Sequence, residues 1–486
     1  MAAGDEHQAY TGPPLALSAR RRGLGRGQAT VWLILGIGVA AAIAHDRDAA
    51  LLTLVLIGQG IFLGVASWRI ATVMISSAPV VAVPELSVWP RYTILAAMHD
   101  EADVIGQLIE RLAEIDYPAE RLEAFLLLEG DDAATIEAAM VVSKPDWMSI
   151  VVVPEGEPRT KPRALNHGLG LATGDLVTIY DAEDDPDPLQ LREAAARFAA
   201  SAAGRLACLQ APLRIRHPLL PAHGSPFLDR QFAVEYAALF EVTLPAMARM
   251  GLPFPLGGTS NHFRAEALRE VGGWDPWNVT EDADLGFRLW RAGWRQGVIT
   301  RPTYETPPGP LRIWLPQRTR WLKGFMQTWG VHTRRPLELG WRGFWALLIT
   351  TGATLAAAGL HALALAWVFA CLMVAGVSGL APDTPLFALG VLITGTAAAW
   401  LQGAIGARRG RVEYGPIEML GSPLYWSLQT LAFVHAAWRL VREPFIWDKT
   451  QHRRDGARLA DYDEEMQPVI ASGEPIQAAP AGREAA

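Results

Sequence analysis

Long apolar runs stand at both ends of this chain and bracket a polar centre, and nothing else in the sequence limits its fold as much. Thr30 to Ala44 is apolar, and after His45-Asp46-Arg47-Asp48 a second run goes from Ala49 to about Trp68. Further runs lie at about 343–379, 385–405 and 418–440. Runs of this length match the hydrocarbon core of a bilayer, and half of all residues are hydrophobic. The first two runs predict a transmembrane hairpin over 29–76, and the last three a C-terminal membrane region over 341–440. Arg20, Arg21, Arg22 and Arg26 precede the first run, which predicts a cytoplasmic N-terminus. Basic residues also flank the last run on both sides, at Arg408, Arg409 and Arg411 and again from Arg439. One ordinary span cannot leave both groups in the cytoplasm. Either 418–440 dips in without crossing or one basic loop lies outside, and four to six spans are expected. Residues 1–28 and 441–486 lack periodicity and read as disordered tails, the first basic and the second charged.

Between the membrane segments the texture is that of a cytoplasmic α/β domain, 90–306. Tyr92–Met98, Phe125–Leu128, Ser149–Val153 and Leu176–Tyr180 read as strands. Helical patterns at about 104–112, 133–142 and 163–171 alternate with them. This order implies a mostly parallel sheet, and such sheets bind ligands beyond the carboxyl ends of their strands. Polar clusters fall there: His99-Asp100-Glu101, Glu129-Gly130-Asp131-Asp132, and Asp181-Ala182-Glu183-Asp184-Asp185. Residues 307–340 mix Trp, Arg and Pro and predict amphipathic helices at the membrane surface.

Several groups carry possible chemistry. Asp181 and Glu183 put two hard carboxylates at a strand end, a donor set for Mg²⁺ or Mn²⁺ shared with a diphosphate. A solvated acidic turn is the plain alternative. Glu129 or Asp131 could bond a nucleobase or ribose, or simply cap the next helix. Lys161 and Asn166 open the helix after the third strand and could meet a phosphate and a ribose. Thr280-Glu281-Asp282 reads as a helix start, with Thr280 as N-cap and acids in the first turn. Gln317, Arg320 and Trp321 sit beside the membrane, where an Arg can pair with a diphosphate and a Trp can stack on a sugar. His99, His167 and His262 lack metal-ligand spacing and read as polar edge residues. Asn278-Val279-Thr280 matches a glycosylation sequon by accident if this segment is cytoplasmic. Cys208 and Cys371 have no CxxC neighbour and read as buried thiols. A formal charge of −7 gives no case for nucleic acid.

Taken in order, these motifs form a specific pattern: an acid after the second strand, Asp-x-Glu after the fourth, Gly257-Gly258-Thr259, Thr280-Glu281-Asp282, then Gln317-x-x-Arg320-Trp321. The chain resembles the inverting family 2 glycosyltransferases, and within them the membrane-embedded branch of cellulose synthase catalytic subunits and related β-glycan synthases. The resemblance implies a GT-A-type, Rossmann-like mixed sheet flanked by transmembrane helices, with Asp282 as base beside Glu281. It places Glu129 or Asp131, Lys161, Asp181 and Arg320 on the nucleotide-sugar, Asp181 and Glu183 on the metal, and Thr259, Gln317 and Trp321 near the acceptor. It implies a hexosyltransferase of the inner (plasma) membrane that uses a UDP-sugar, with UDP-glucose expected, to extend an extracellular β-glycan. Periplasmic or outer-membrane secretion partners would follow. A transferase acting once on a membrane lipid and a non-catalytic scaffold or translocation subunit are the alternatives. Two departures stand out: the metal pair is Asp-x-Glu rather than Asp-x-Asp, and Glu-Gly-Asp-Asp replaces the usual Asp-Asp-Gly or Asp-Asp-Ser.

Overall fold

The computed structural model describes residues 10–77, 86–201, 204–216, 226–378 and 383–447. Among the described residues ten strands form two sheets. They are β1 Tyr92–Met98, β2 Leu122–Glu129, β3 Met148–Val153, β4 Leu176–Tyr180, β5 Asp185–Pro186, β6 Leu206–Gln210, β7 Leu213–Ile215, β8 Asn261–Arg264, β9 Arg295–Val298 and β10 Thr303–Glu305. The larger sheet has the order β3-β2-β1-β4-β8-β6-β9, and the smaller one β5-β10-β7. Strands β1 to β4 are mutually parallel, while β8 runs antiparallel to both β4 and β6. This is the mixed, GT-A-like sheet with helices on both faces. The central strand β1 shows why: Tyr92, Ile94, Leu95 and Ala96 are fully buried, so both faces of the strand are covered. The helix Ile105–Ala113 turns Ile105, Leu108, Ile109 and Leu112 inward at helical spacing.

The four strands and three helices expected from periodicity all form, with ends shifted by a few residues. Several finer expectations change. His262 is no edge residue: it lies fully buried in β8, and Tyr92 Oη sits 2.7 Å from its Nδ1. Burial pushes its pKa down to about 3, so the ring is neutral. Asn166 is 1 % exposed and holds the Trp274 backbone from both sides, Nδ2 donating to Trp274 O at 2.8 Å and Oδ1 accepting from Trp274 N at 2.9 Å. Its amide is spent on the fold and does not reach a ribose. Asn278 is buried too, its Nδ2 donating to Thr328 Oγ1 at 3.1 Å. Cys208 is buried in β6, whereas Cys371 is only half-buried.

Among the described residues four helical segments are long and apolar enough to cross a membrane: Arg26–His45, Arg47–Ile75, Pro336–Val377 and Leu386–Gly410. The helix Pro416–Arg442 is not one of them; its start is tied to the central domain and the segment past its end to the helix Leu311–His332. Near its start Glu418 accepts from Arg230 at 3.1 Å, and its backbone oxygen accepts from Gln231 at 2.6 Å. Just past its end Lys323 donates to the oxygens of Glu443 and Ile446, and Gln327 to that of Pro444. Arg409 donates to Ser76 O and Glu241 O, which locks the end of one membrane-type helix to the end of another and to the domain.

The expected N-terminal tail also behaves differently where it is described. Residues 10–25 lie along the central domain. Ser18 Oγ and Ala19 N donate to the two carboxylate oxygens of buried Asp275, at 2.9 and 2.7 Å. The Arg20 guanidinium stacks 5.2 Å over the Trp277 ring, and Arg334 donates to Ser18 O. Periodicity signals helices and strands, so an irregular strap held by single polar contacts leaves no trace in it. Residues 448–486 lie outside the described residues.

Candidate active site

A cavity of about 510 Å³ opens at the carboxyl ends of β1, β2 and β4 and reaches the amphipathic helix Leu311–His332. Its wall brings together Glu129, Lys161, Asp181, Glu183, Thr259, Glu281, Asp282, Gln317, Arg320 and Trp321. Asp131 is the exception among the expected site residues: it turns outward and pairs with Arg159. Asp132 caps the next helix by accepting from Thr135 N at 3.2 Å. Of the three acids at and after the end of β2, Glu129 therefore faces the cavity, and its carboxylate pairs with Arg163.

The Asp181–Asp185 turn is built from inside. Asp184 is fully buried, and its Oδ2 accepts from Asp181 N at 2.7 Å and from the Thr259 hydroxyl. Arg111 Nη1 donates to Glu183 O at 2.8 Å. With Asp184 turned inward and the backbone pinned, Asp181 and Glu183 are left at the cavity wall. Lys161 bridges this turn to the glycine loop, pairing with Asp181 and donating to Gly258 O at 2.7 Å. Burial opposes the Lys161 charge, but Asp181, Glu281 and Asp184 outweigh it and raise the pKa.

Thr280 occupies the N-cap position of the helix Glu281–Arg291, yet its hydroxyl makes no capping bond. The hydroxyl turns back toward Asn278 Oδ1 instead, at 3.5 Å. The Thr280 side chain is pressed against Gly324, where a Cβ would lie 2.2 Å from Thr280 Oγ1. Gly324 thus lets the helix carrying Gln317, Arg320 and Trp321 close directly onto the Thr280-Glu281-Asp282 turn. On the other side, Asp282 Oδ2 lies 3.5 Å from where a Gly258 Cβ would stand, so the glycine loop and the acid face each other. Burial raises the Asp282 pKa, and burial together with the Asp282 charge pushes Glu281 up to about 7.

At the end formed by the helix Leu311–His332, Arg320 Nη1 donates to Val279 O at 3.2 Å, while among the described residues its Nε and the Gln317 Oε1 are buried without a hydrogen-bond partner. Trp321 stacks with Tyr236 at 6.2 Å between centroids, and Arg318 covers it at 4.5 Å. The wall also holds residues that were not singled out as site residues by sequence, among them Arg159, Tyr236, Glu305 and Trp447. Trp447 lies 5.3 Å from the Arg320 guanidinium, in a segment the sequence assigns to a disordered tail. His99, expected at an edge, lines the cavity as well. Its position in the polar cluster after β1 was a usable signal, whereas nothing local marks Trp447.

Among the described residues no group of three or more His, Cys, Asp or Glu is arranged to enclose a metal. The pair Asp181 and Glu183 nevertheless fits a divalent ion that takes its remaining ligands from a substrate. Both donors are hard oxygens, and neighbouring Asp184 and Glu305 have pKa values pushed well up by burial and by the surrounding carboxylates. The wall thus gathers more carboxyl groups than it can ionise together, and a cation would offset their mutual repulsion.

Residues 176–401 match the model for glycosyl transferase family group 2, and residues 93–242 that for glycosyl transferase family 2. The β-monoglucosyldiacylglycerol synthase of Synechocystis sp. is 26 % identical over 266 residues, which cover 52 % of this chain and 52 % of that protein. The cellulose synthase catalytic subunit of Komagataeibacter sucrofermentans is 26 % identical over 264 residues, covering 52 % of this chain and 33 % of that one. The chain thus spans about half the length, or less, of these curated relatives. Among solved structures, a mannosyltransferase from Pyrobaculum calidifontis in complex with GDP-Man and Mn²⁺ aligns with a TM-score of 0.47 at 19 % identity, covering 79 % of this chain and 99 % of that chain.

Proposed function

The chain carries a family 2 glycosyltransferase domain, and on that premise we propose that it moves a hexosyl group from a UDP-sugar to an acceptor hydroxyl at a membrane face. The observation that supports this most is the meeting of Asp282, Arg320 and the Asp181–Glu183 pair in one cavity. Asp282 takes the proton of the acceptor hydroxyl as that oxygen attacks the anomeric carbon. Its upward pKa shift brings the base closer to neutral pH, where proton transfer is better matched. The bond from the anomeric carbon to the diphosphate breaks, and UDP leaves with the electron pair. Lys161 and Arg320 oppose the charge that grows on it. Mg²⁺ or Mn²⁺ held by Asp181 and Glu183 would supply further charge stabilisation to the same leaving group. In-line attack inverts the centre, so an α-linked donor yields a β-linkage.

The apolar helices would seat the enzyme in the inner (plasma) membrane with the catalytic domain on the cytoplasmic side. Since Pro416–Arg442 is bonded to that domain at its start and to the helix Leu311–His332 just past its end, this helix need not cross, and both arginine-bearing loops can stay on one side.

Two acceptors are supported by particular residues. The stacked Trp321 and Tyr236 rings suit the terminal sugar of a growing β-glycan, which secretion partners would then carry outward. Leu239, Phe240, Leu256 and Phe325 line the same cavity and suit a membrane lipid acceptor instead. The π-turn Leu239–Thr243 packs on the helices Arg47–Ile75 and Asp383–Gly410, so this apolar wall continues toward the bilayer. Purified protein in lipid, supplied with radiolabelled UDP-glucose and other UDP-sugars with Mg²⁺ or Mn²⁺, separates the two. Long chains support the glycan, and one sugar per lipid supports the second reading. UDP release from none of the donors would defeat the proposal.

A further inference from the structure

Glu305 ends β10 and lines the cavity, in a position no motif marks. It is 8 % exposed, and no hydrogen bond or ion pair to its carboxyl is formed among the described residues. Buried polar groups are normally satisfied, so a carboxyl left this way at a cavity wall implies a ligand that completes it. Its aim follows from register. Tyr304 pairs with Asp185 across the antiparallel β10–β5 ladder, which carries Glu305 on alongside Asp184 and the Asp181–Glu183 turn. Glu305 shares a strand face with Thr303, whose hydroxyl lies 2.6 Å from Ser260 Oγ in the glycine loop. Its electrostatic neighbours are Asp184, Glu183 and Asp181, with Lys161 as a compensating cation, and Tyr236 is beside it.

Three kinds of ligand could meet this carboxyl. A diphosphate is anionic and would be repelled. A divalent ion enclosed by Glu305 with two further carboxylates does not fit, because no such group of three is formed among the described residues. A neutral polyol fits: its hydroxyls donate, a carboxyl accepts from two of them at once, and no new charge is buried. Lys161 and Asp181 at the expected diphosphate end put this polyol next to the leaving group, where the transferred sugar must lie. We infer that Glu305 binds hydroxyls of the hexosyl group being transferred and thereby selects among donor sugars. This rests on the nucleotide-sugar reading of the cavity. A site built to bond a hydroxyl discriminates strongly against a sugar that presents it wrongly, because the buried group is then left unpaired.

The test compares the full-length protein in lipid with Glu305→Gln and Glu305→Ala, using UDP, UDP-glucose, UDP-galactose, UDP-N-acetylglucosamine and 2-, 3-, 4- and 6-deoxy analogues of the preferred donor. The expected result has three parts. UDP binding by calorimetry stays within about twofold of wild type. KM for the preferred donor rises at least about tenfold in Glu305→Ala and less in Glu305→Gln. The preference between epimeric donors flattens, and one deoxy analogue loses against its parent in wild type but not in Glu305→Ala. Retained UDP binding shows that the variants are folded. Equal loss of UDP and UDP-sugar binding overturns the inference, as does an unmoved donor preference or a change confined to acceptor KM. If Glu305→Ala does not fold, the deoxy series on Glu305→Gln decides by the same criteria. Wild type that releases UDP from no donor overturns the reading of the cavity itself, which is a different failure.

Discussion

Asp282→Asn should slow transfer and stabilise the fold at once. The two effects have one origin, a carboxylate placed where its charge is costly. Removing a general base typically lowers the rate by about 10²–10⁴-fold, equivalent to roughly 3–5 kcal/mol of barrier. The stability effect follows from Glu281 next door. Burial, and then the Asp282 charge, lift Glu281 from its ordinary 4.5 to about 7. Between those values the folded state holds a proton that the unfolded chain has released. Stability therefore falls as pH rises from about 4.5 to about 7, by on the order of 3 kcal/mol for this group. Only part of that comes from Asp282, since burial is the larger cause, so neutralising Asp282 should return on the order of 1 kcal/mol at pH 8. The gain should shrink toward pH 4, where Glu281 is protonated in both states. The assays are UDP release with saturating donor and acceptor, and thermal unfolding in lipid at pH 4.5 and pH 8. A fall in kcat with little change in donor KM, together with a higher unfolding temperature at pH 8, is the expected pair. An unaltered rate would remove Asp282 from the role of base. A lower unfolding temperature at pH 8 would show that its charge is satisfied in the fold, contrary to the burial argument.

Chelation should abolish UDP release, and Mg²⁺ or Mn²⁺ should restore it in wild type but not in Asp181→Asn; full activity in excess chelator would refute a metal role for the Asp181–Glu183 pair. Gly324→Ala puts a methyl group 2.2 Å from Thr280 Oγ1, so the helix bearing Arg320 must shift away from Asp282. A drop in kcat of at least about tenfold is expected for a displacement near 1 Å, and Thr280→Ser should not rescue it, because Oγ1 and Cβ, at 2.2 and 2.7 Å, would still clash after Cγ2 is removed. Asp275→Ala removes the acceptor of Ser18 Oγ and Ala19 N and should release the N-terminal strap, read as faster limited proteolysis within residues 10–25.

Much of the central domain was legible because its elements carry their own periodicity. Strands β1 to β4 are runs of apolar residues bounded by turns, and their carboxyl ends carry the acids that line the cavity. The strands after β5 were harder, since four of the five, β7, β8, β9 and β10, have only three or four residues each. Strands that short hold too few residues to show alternation, and they pair across long separations in sequence. Glu305 was missed for this reason: its significance depends on β10 lying beside β5. Trp447 was missed because its place is set by Lys323 and Gln327 gripping backbone carbonyls of the segment before it, which no side-chain pattern reports.

The capped-helix and catalytic readings of the Thr280-Glu281-Asp282 turn become one once the glycines are considered together. Helix geometry alone would let Thr280 cap its own helix, as Thr commonly does. Gly324 removes the side chain that would keep the Arg320 helix at a distance, and the Thr280 hydroxyl faces Asn278 Oδ1 instead of capping its helix. Gly258 leaves the space in front of Asp282 open, and Gly257 does the same beside Phe240 and Leu213. Asn166 ties the strand-side helix Lys161–Leu171 to Trp274, eight residues before Asp282. The acid is therefore held from three directions by elements that also carry Lys161, Arg320 and the glycine loop. With Asp282 as the proposed base, a position specified by several close approaches at once tolerates little displacement of any of them, so substitutions at Gly324 and Asn166 should act on turnover before they act on donor binding.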